Sequence, residues 1–196
     1  MVEMHLETKR NTFHLLVGLT IVALLHFDII DVWIILAVVL VGSLVSIVSR
    51  KARLPIIQWF LQRFDREADM PSIPGRGALF FFVSILLAVA LFQEDIAMAS
   101  ITIFVIGDSV SPLVGVRFGK VKHPLSDKKF IEGSIAGLMA AFIGATLFVS
   151  PLEALLASIC AMTVEAVDTI RGKRIEDNIT IPLVAGLVIT AIRAIF

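Results

Sequence analysis

Long apolar segments are the feature that most constrains how this chain can fold. Seven mostly apolar runs follow one another along its 196 residues, and the mean hydropathy is +0.94. Hydrophobic residues make up 58% of the sequence and charged residues only 17%, which excludes an ordinary soluble protein. Such runs are typical of helices that cross a bilayer. The sequence therefore predicts an all-α integral membrane protein with about seven transmembrane helices, in which residues 1–196 form a single membrane-embedded domain.

The positive charges of the chain are distributed unevenly between the connections. Sixteen of the seventeen Lys and Arg residues flank run ends that would lie on one side of the membrane, and only Arg193 lies near the other. Because positive segments are retained in the cytoplasm, the N-terminus is predicted to be cytoplasmic and the C-terminus outside. The long polar connection from Arg50 to Gly77 contains PIIQWFLQRF, whose fourfold-spaced apolar residues predict one short interfacial helix.

The fourth apolar run contains an acidic residue at a position where a membrane helix usually excludes one. The mostly apolar stretch from Ile96 to Ile106 has 11 residues, which is too short to cross a bilayer, and Gly107 and Asp108 follow it directly. The helix therefore either continues to about Phe118 or breaks at Asp108, with its irregular backbone buried in protein. Pro112 lacks the N–H that would bond the Asp108 carbonyl, so both the side chain and the carbonyl of Asp108 are available to a ligand.

Polar residues also recur at helical spacing in two other runs. Glu7, Arg10 and His14 share one face if the first helix begins early, where they form either part of a site or a solvated helix entrance. Glu165 and Asp168 lie one turn apart on the sixth run. Both groups lie toward the predicted cytoplasmic side, as Asp108 does. This convergence of residues from distant parts of the chain predicts a single site at the cytoplasmic interface.

Three further signals concern helix ends and helix packing. Ser126 is a candidate cap for a fifth helix that continues into the bilayer until Val149. The stretch Ser150–Glu153 is typical of a capping box with proline at the first helical position. Small residues in the fifth run form a stripe that allows another helix to approach closely: Gly133, Gly137 and Gly144, with Ala140 and Ala141 between them.

Acidic groups beside a basic loop suit a divalent cation that bridges the phosphates of a nucleotide, while lysines neutralise the remaining charge. Mg²⁺ prefers one or two protein carboxylates together with phosphate oxygens and water. The carboxylate candidates are Asp108, Glu165, Asp168 and Asp177. The second substrate would be a lipid head group presented at the interface. A small ion-coupled transporter, whose intramembrane carboxylates carry protons or cations, is the alternative from another functional class.

The basic loop contains the stretch Gly115-Val-Arg-Phe-Gly119-Lys120, which superficially resembles a phosphate-binding P-loop. The stretch is one residue short, lacks Ser or Thr after the lysine, and does not follow a soluble strand. We therefore reject the P-loop interpretation, but keep Gly115, Gly119 and Lys120 among the phosphate-binding candidates.

Four ordered motifs resemble the CTP-dependent lipid kinases. GDSVSPLVGVRFGK, SDKKFIEGSIAG and EDNITIPLVAG are similar to motifs of dolichol, polyprenol and phytol kinases and of the CTP-using diacylglycerol kinase. ETKRNTFHLLVG resembles the N-terminal Glu-x-x-Arg-x-x-x-His pattern of that family, in Glu7, Arg10 and His14. The similarity covers nearly the whole chain. It implies transfer of the γ-phosphate of CTP to a membrane lipid alcohol, with a divalent cation, Mg²⁺, as cofactor.

The resemblance also implies which residues form the site. The positions that match its motifs are Asp108, Lys120, Lys128, Lys129, Glu132, Asp177 and Asn178. We interpret Asp108 as a metal ligand or base and Asp177 as a second metal ligand. The nucleotide- or phosphate-binding candidates are the lysines, Arg10, Glu132, Asn178 and again Asp177. Glu165 and Asp168 are further catalytic candidates. Residues assigned supporting roles are Glu7, His14, Pro112 and Pro182, the last of which leaves the Asn178 carbonyl unpaired near a helix start that favours anions.

Phosphatidate cytidylyltransferases share a related GD…GK…KK…EG stretch, but their closing His-Gly-Gly and Asp-Arg-x-x-Asp signature is absent here. The resemblance therefore favours a kinase acting on a polyprenol- or dolichol-type isoprenoid alcohol. A CTP-dependent cytidylyltransferase acting on a lipid phosphate is the alternative. The expected partners are CTP, the lipid alcohol and the bilayer, without nucleic acid, and a homo-oligomer is compatible with the sequence. The expected location is the cell membrane in a prokaryote or the endoplasmic reticulum in a eukaryote.

Overall fold

The computed structural model describes residues 2–49, 74–126, 128–167, 169–170, 173–174 and 176–195. These residues form seven helices: α1 (Val2–His26), α2 (Val32–Ser49), α3 (Arg76–Leu91), α4 (Glu94–Phe118), α5 (Ile131–Ala145), α6 (Pro151–Ala166) and α7 (Asp177–Ile195). Two short antiparallel strands, β1 (Thr169–Ile170) and β2 (Lys173–Arg174), lie between α6 and α7. The predicted all-α architecture is confirmed, with one helix for each apolar run. The predicted interfacial helix lies outside the described residues.

Three of the described helices, α2, α4 and α7, are long and apolar enough to cross a membrane. The apolar helices α3 and α5 are shorter, with 16 and 15 residues. Large apolar side chains lie exposed on the outside of the bundle, as at Leu40, Leu44 and Leu147. Such surfaces are stable against lipid rather than water. The helices are those of a membrane protein, while the number of spans and their orientation stay predictions.

Helix α4 is the central helix and packs against α1, α3, α5, α6 and α7. Its N-terminal half is almost entirely buried, including Ile101, Ile103 and Phe104. The helix continues without a break through Asp108 and Pro112 to its end at Phe118. Of the two alternatives for the fourth run, the continuous helix is therefore correct. Its length carries Asp108 beyond the apolar core, toward the end of the bundle where the loop to α5 begins.

Glycines allow α5 to pack closely against α4. A Cβ atom at Gly133 would lie 2.4 Å from the carbonyl oxygen of Ser111, and one at Gly137 would lie 2.9 Å from the carbonyl oxygen of Gly107. A side chain at either position would therefore push the two helices apart. The predicted small-residue stripe is confirmed, and its partner is α4. This close approach fixes where the loop between the two helices can lie.

Of the two helix starts predicted from capping residues, one is confirmed and the other is wrong. The capping box that begins α6 is confirmed, because the Ser150 N–H donates to Glu153 Oε2 at 2.8 Å and Ser150 Oγ accepts from the Glu153 N–H at 3.4 Å. The predicted cap at Ser126 is wrong, because α5 begins only at Ile131. Ser126 Oγ instead accepts from the backbone N–H groups of Lys128 and Lys129, at 3.1 and 3.0 Å.

Backbone pairing explains why no helix follows Ser126. The His123 N–H donates to the Lys129 carbonyl and the Ile131 N–H donates to the Val121 carbonyl, both at 3.0 Å. These bonds hold residues 121–123 and 129–131 side by side in extended conformation. A segment paired in this way cannot also form helical hydrogen bonds. The capping side chain therefore stabilises a turn within the loop.

At the opposite end of α4 from Phe118, an arginine joins three helices. Arg193 Nη2 lies 2.7 Å from Asp95 Oδ2, and Arg193 Nε donates to Glu153 Oε1 at 2.6 Å. Asp95 and Glu153 belong to the first turns of α4 and α6, and Arg193 belongs to the last turn of α7. This cluster fixes one end of the bundle, and the candidate site lies at the other.

Candidate active site

The basic loop, residues 119–126 and 128–130, places a lysine among acidic groups from other helices. Lys129 Nζ lies 2.9 Å from Glu165 Oε1 on α6 and 3.7 Å from Asp177 Oδ2 at the start of α7, and it also donates to the Glu165 carbonyl. Burial by itself lowers the pKa of Lys129, but the charges of Glu165, Asp177 and Asp108 outweigh burial and raise the pKa above its usual value. Lys129 is therefore a permanent cation that joins the loop to α6 and α7.

Glu165 is the most deeply buried acidic side chain of the described residues, with 2% of its surface exposed. Its Oε1 faces Lys129, whereas Oε2 is buried without a hydrogen-bond partner in the described part of the chain. A buried carboxylate is stable only when an opposite charge compensates its lost hydration. Glu165 thus has one oxygen committed to Lys129 and one that a ligand could reach or that a bound cation could contact.

Asp108 lies half-buried in α4, between α1 and the basic loop. It is close enough for its charge to act on His14, Lys129 and Glu165. Pro112 lies within α4 one turn later, so the Asp108 carbonyl has no N–H partner at the usual helical position. The structure therefore brings Asp108 near His14 of α1 and Glu165 of α6, and Lys129 links it to Asp177 of α7.

His14 faces this cluster from α1. Its ring packs edge-on against Phe81, with centroids 4.4 Å apart, and against Phe104, with centroids 5.2 Å apart. Its Nε2 is buried and has no hydrogen-bond partner among the residues that the structure describes. Arg10 lies one turn earlier and its charge also acts on His14. Arg10 and His14 thus lie on the face that meets Asp108, while the side chain of Glu7 lies outside the described residues.

Glu132 holds the start of the basic loop in place. Its carboxylate accepts from the backbone N–H groups of Lys120, at 3.1 Å, and Val121, at 3.2 Å. A Cβ atom at Gly119 would lie 2.3 Å from the ring of Phe130, so this ring covers the loop as it leaves α4. Glu132 therefore positions the start of the basic loop.

Three lysines of the loop are exposed: Lys120, Lys122 and Lys128. Lys122 Nζ lies 4.0 Å from the centroid of the Phe130 ring. Gly115 lies beneath these lysines in α4, where a Cβ atom would lie 3.6 Å from the Cα atom of Gly133. Gly115 thus contributes to helix packing, as Gly119 does to packing against Phe130. The exposed ammonium groups of Lys120 and Lys128 are available to a phosphate chain at the surface of the site.

The start of α7 is tied to the start of α3. Asn178 Nδ2 donates to the Gly77 carbonyl at 3.4 Å, and Arg76 forms an ion pair with Glu176. Sequence reasoning missed Arg76 and Glu176, although Glu176 lies within the EDNITIP motif. Pro182 lies inside α7, one turn after Asn178, as predicted. Asp168 lies outside the described residues.

The carboxylates of the site could ligate Mg²⁺ only in part. Within residues 8–49, 74–126, 128–167 and 176–195, no group of three or more metal-ligating side chains converges. Mg²⁺ needs only one or two protein carboxylates when phosphate oxygens and water complete its shell. Asp108 and Asp177 both lie around Lys129, and the buried Glu165 Oε2 lies beside it. This donor set fits a cation that arrives with a nucleotide, not a closed protein cage.

Comparison with known proteins identifies relatives among the phytol kinases. The chain is 29% identical over 130 residues to the probable chloroplastic phytol kinase of Triticum aestivum, covering 58% of this chain and 43% of that protein. It is 24% identical over 168 residues to probable chloroplastic phytol kinase 1 of Oryza sativa subsp. japonica, covering 77% of this chain and 52% of that protein. It is 31% identical over 130 residues to probable chloroplastic phytol kinase 2 of Glycine max, covering 58% of this chain and 44% of that protein.

The chain spans about half the length of these curated relatives. Their names confirm the resemblance to the lipid-alcohol kinases that the four sequence motifs indicated. No family model matches the chain, and no solved structure matches it.

Proposed function

We propose that this protein is a CTP-dependent kinase that transfers the γ-phosphate to the hydroxyl of a long-chain isoprenoid alcohol at the cytoplasmic face of a membrane. The observation that carries the proposal is the position of Lys129, which lies between Glu165 and Asp177 and close to Asp108. Carboxylates arranged around a basic loop are what a metal-bound polyphosphate requires. The names of the relatives support an alcohol as the acceptor.

Phosphoryl transfer requires positioning and charge neutralisation rather than covalent chemistry by the protein. In this proposal Asp108 and Asp177 hold a divalent cation, which supplies charge neutralisation for the phosphates when it is bound. Lys120 and Lys128 bind phosphate oxygens from the exposed side of the loop. Lys129 keeps the loop in position against α6 and α7.

The sequence resemblance includes kinases of short and long isoprenoid alcohols, and the relatives are named for phytol. The experiment therefore uses the purified full-length chain in lipid nanodiscs with phytol, a polyprenol, dolichol, diacylglycerol and phosphatidate offered separately. CTP carries label either in its γ-phosphate or in its cytosine. Competition with unlabelled ATP reports the preference for the nucleotide.

The expected result is γ-label in an isoprenoid alcohol and no cytosine label in any lipid, because a kinase transfers the terminal phosphate and releases CDP. Cytosine label recovered with phosphatidate would show a cytidylyltransferase instead, which joins CMP to a lipid phosphate and releases pyrophosphate. Label in neither position, with every acceptor, would reject both enzymes and favour the transporter.

A further inference from the structure

The imidazole of His14 carries a buried nitrogen that its surroundings leave unpaired. Nε2 has no hydrogen-bond partner within the described chain. The rings that enclose it belong to Phe81 and Phe104, and neither ring offers an ordinary donor or acceptor. Buried polar atoms in proteins are nearly always paired with protein, water or ligand. An unpaired imidazole nitrogen beside a candidate active site therefore indicates a group that is brought by a ligand.

The position of His14 indicates which ligand that is. Its ring lies close enough to Asp108 for the carboxylate to act on it electrostatically, so a group bound at Nε2 is near the candidate catalytic residues. Helices α1 and α3 both pack on α4, but within the described residues their backbones have few contacts with each other. The edge contact between His14 and Phe81 lies in the space between these two helices. A lipid chain entering between α1 and α3 would therefore meet the ring of His14 in this space.

We propose that His14 Nε2 binds the hydroxyl group of the lipid alcohol and positions its oxygen beside Asp108. This inference rests on the proposed kinase function and assigns the acceptor site within it. A hydroxyl both donates and accepts, so it pairs with Nε2 in either tautomer of the neutral ring. The edges of Phe81 and Phe104 suit the apolar carbons next to that hydroxyl. The ligand class is therefore an uncharged lipid with a terminal hydroxyl.

Direct binding tests the inference without turnover. The wild-type full-length chain in nanodiscs is titrated with labelled phytol and with the matching hydrocarbon that lacks the hydroxyl, in the absence of nucleotide. The variants are His14→Phe, which keeps an aromatic ring but no nitrogen, and His14→Gln, which keeps a polar group. Thr20→Val is the matched control on α1, because Thr20 is exposed and its Oγ1 donates to the carbonyl of Leu16, in its own helix, at 2.8 Å. CTP binding is measured on the same preparations.

We expect His14→Phe to weaken binding of the alcohol about tenfold, as loss of a buried hydrogen bond predicts, while His14→Gln has a smaller effect. Binding of the hydrocarbon and of CTP should stay within about twofold in every variant, because neither uses Nε2. Equal losses for alcohol and hydrocarbon would show that His14 only packs the helices, and would overturn the inference. Unchanged alcohol binding in a folded His14→Phe variant would overturn it as well.

A spectroscopic measurement covers the case in which His14→Phe does not fold. The chain has four histidines, and a wild-type sample labelled at the imidazole nitrogens gives one Nε2 signal for each. The alcohol should shift the signal that is missing from His14→Gln, and the hydrocarbon should not. Failure to shift it rejects the inference. Wild-type protein that shows this shift but transfers no phosphate would reject the kinase and leave the alcohol site standing.

Discussion

The ammonium nitrogen of Lys129 lies 2.9 Å from a carboxylate oxygen of Glu165, a residue 36 positions later in the chain. The two residues come from the basic loop and from the end of α6, and Asp177 of α7 lies on the other side of the ammonium. One cation thus joins three segments that the sequence separates. The arrangement gives Lys129 a structural role that its neighbour Lys128, which is exposed, does not share.

Lys129→Gln should lower the thermal stability of the protein, because it leaves the carboxylate of Glu165 buried without its cation. Removal of one partner from a buried pair costs on the order of 2 kcal/mol or more, or about 5 °C in Tm. Lys128→Gln is the matched control and should keep the wild-type Tm while weakening CTP binding. Thermal unfolding and CTP titration on both variants test the difference. Equal Tm values for the two variants would contradict it.

The pH dependence of stability should report the same contact. The pKa of Lys129 is raised in the folded protein, because the surrounding carboxylates outweigh the effect of burial. The contribution of Lys129 to the free energy of unfolding is therefore complete below its unfolded pKa of about 10.4. It is lost as the pH rises through the higher pKa of Lys129 in the folded protein. The Tm difference between wild type and Lys129→Gln should be constant from about pH 7 to 9 and shrink above about 10.5. A difference that shrinks already at neutral pH would contradict this assignment.

Asp108→Asn should abolish turnover while leaving the fold intact. A neutral amide removes the charge needed for a metal ligand or a base, and either role is worth about two orders of magnitude in rate. Asp28→Asn is the matched control, since Asp28 lies exposed between α1 and α2 with φ of 53°, which asparagine also tolerates. Turnover is measured with γ-labelled CTP. Activity above about a tenth of wild type in Asp108→Asn would exclude both roles.

The helices could be predicted from the sequence because lipid around a helix favours apolar residues, whereas water around a connection favours polar ones. Asp108 and Glu165 could be found because a carboxylate within an apolar run is energetically unfavourable without a role. The end of the loop could not be predicted from Ser126, since its capping signal is local while the pairing of Val121 with Ile131 depends on the folded loop. The ion pair of Arg76 with Glu176 spans 100 positions, and no spacing rule reaches across such a distance.

Gly133→Ala should destabilise the contact between α4 and α5. Its Cβ atom would lie 2.4 Å from the carbonyl oxygen of Ser111, which is backbone and cannot move aside. Overpacking of this kind costs about 1–3 kcal/mol. Gly77→Ala is the matched control, because a Cβ atom there meets nothing within 4 Å and the residue is helical. We expect Gly77→Ala to be neutral or slightly stabilising in thermal unfolding. Similar losses in both variants would argue against this packing.

Glu132→Ala should weaken nucleotide binding without a comparable loss of stability. The substitution removes the acceptor for the N–H groups of Lys120 and Val121, so the start of the basic loop is no longer held against α5. We expect the KM for CTP to rise about tenfold while the KM for the alcohol changes little. Glu132→Gln keeps one acceptor oxygen, so its KM for CTP should lie between those of the wild type and Glu132→Ala. A kcat loss at unchanged KM would indicate that Glu132 acts in the chemical step instead.

The arginine that joins Asp95 and Glu153 also bears on how the protein is made. Synthesis runs from the N-terminus, so both carboxylates leave the ribosome before Arg193 does. Until α7 is inserted, the two acidic helix starts lack their shared counter-ion, and the bundle end that they define stays open. Helix α7, which follows both acidic residues along the chain, thus completes the contact. A nascent chain that stalls before α7 would therefore lack the cation that joins the starts of α4 and α6.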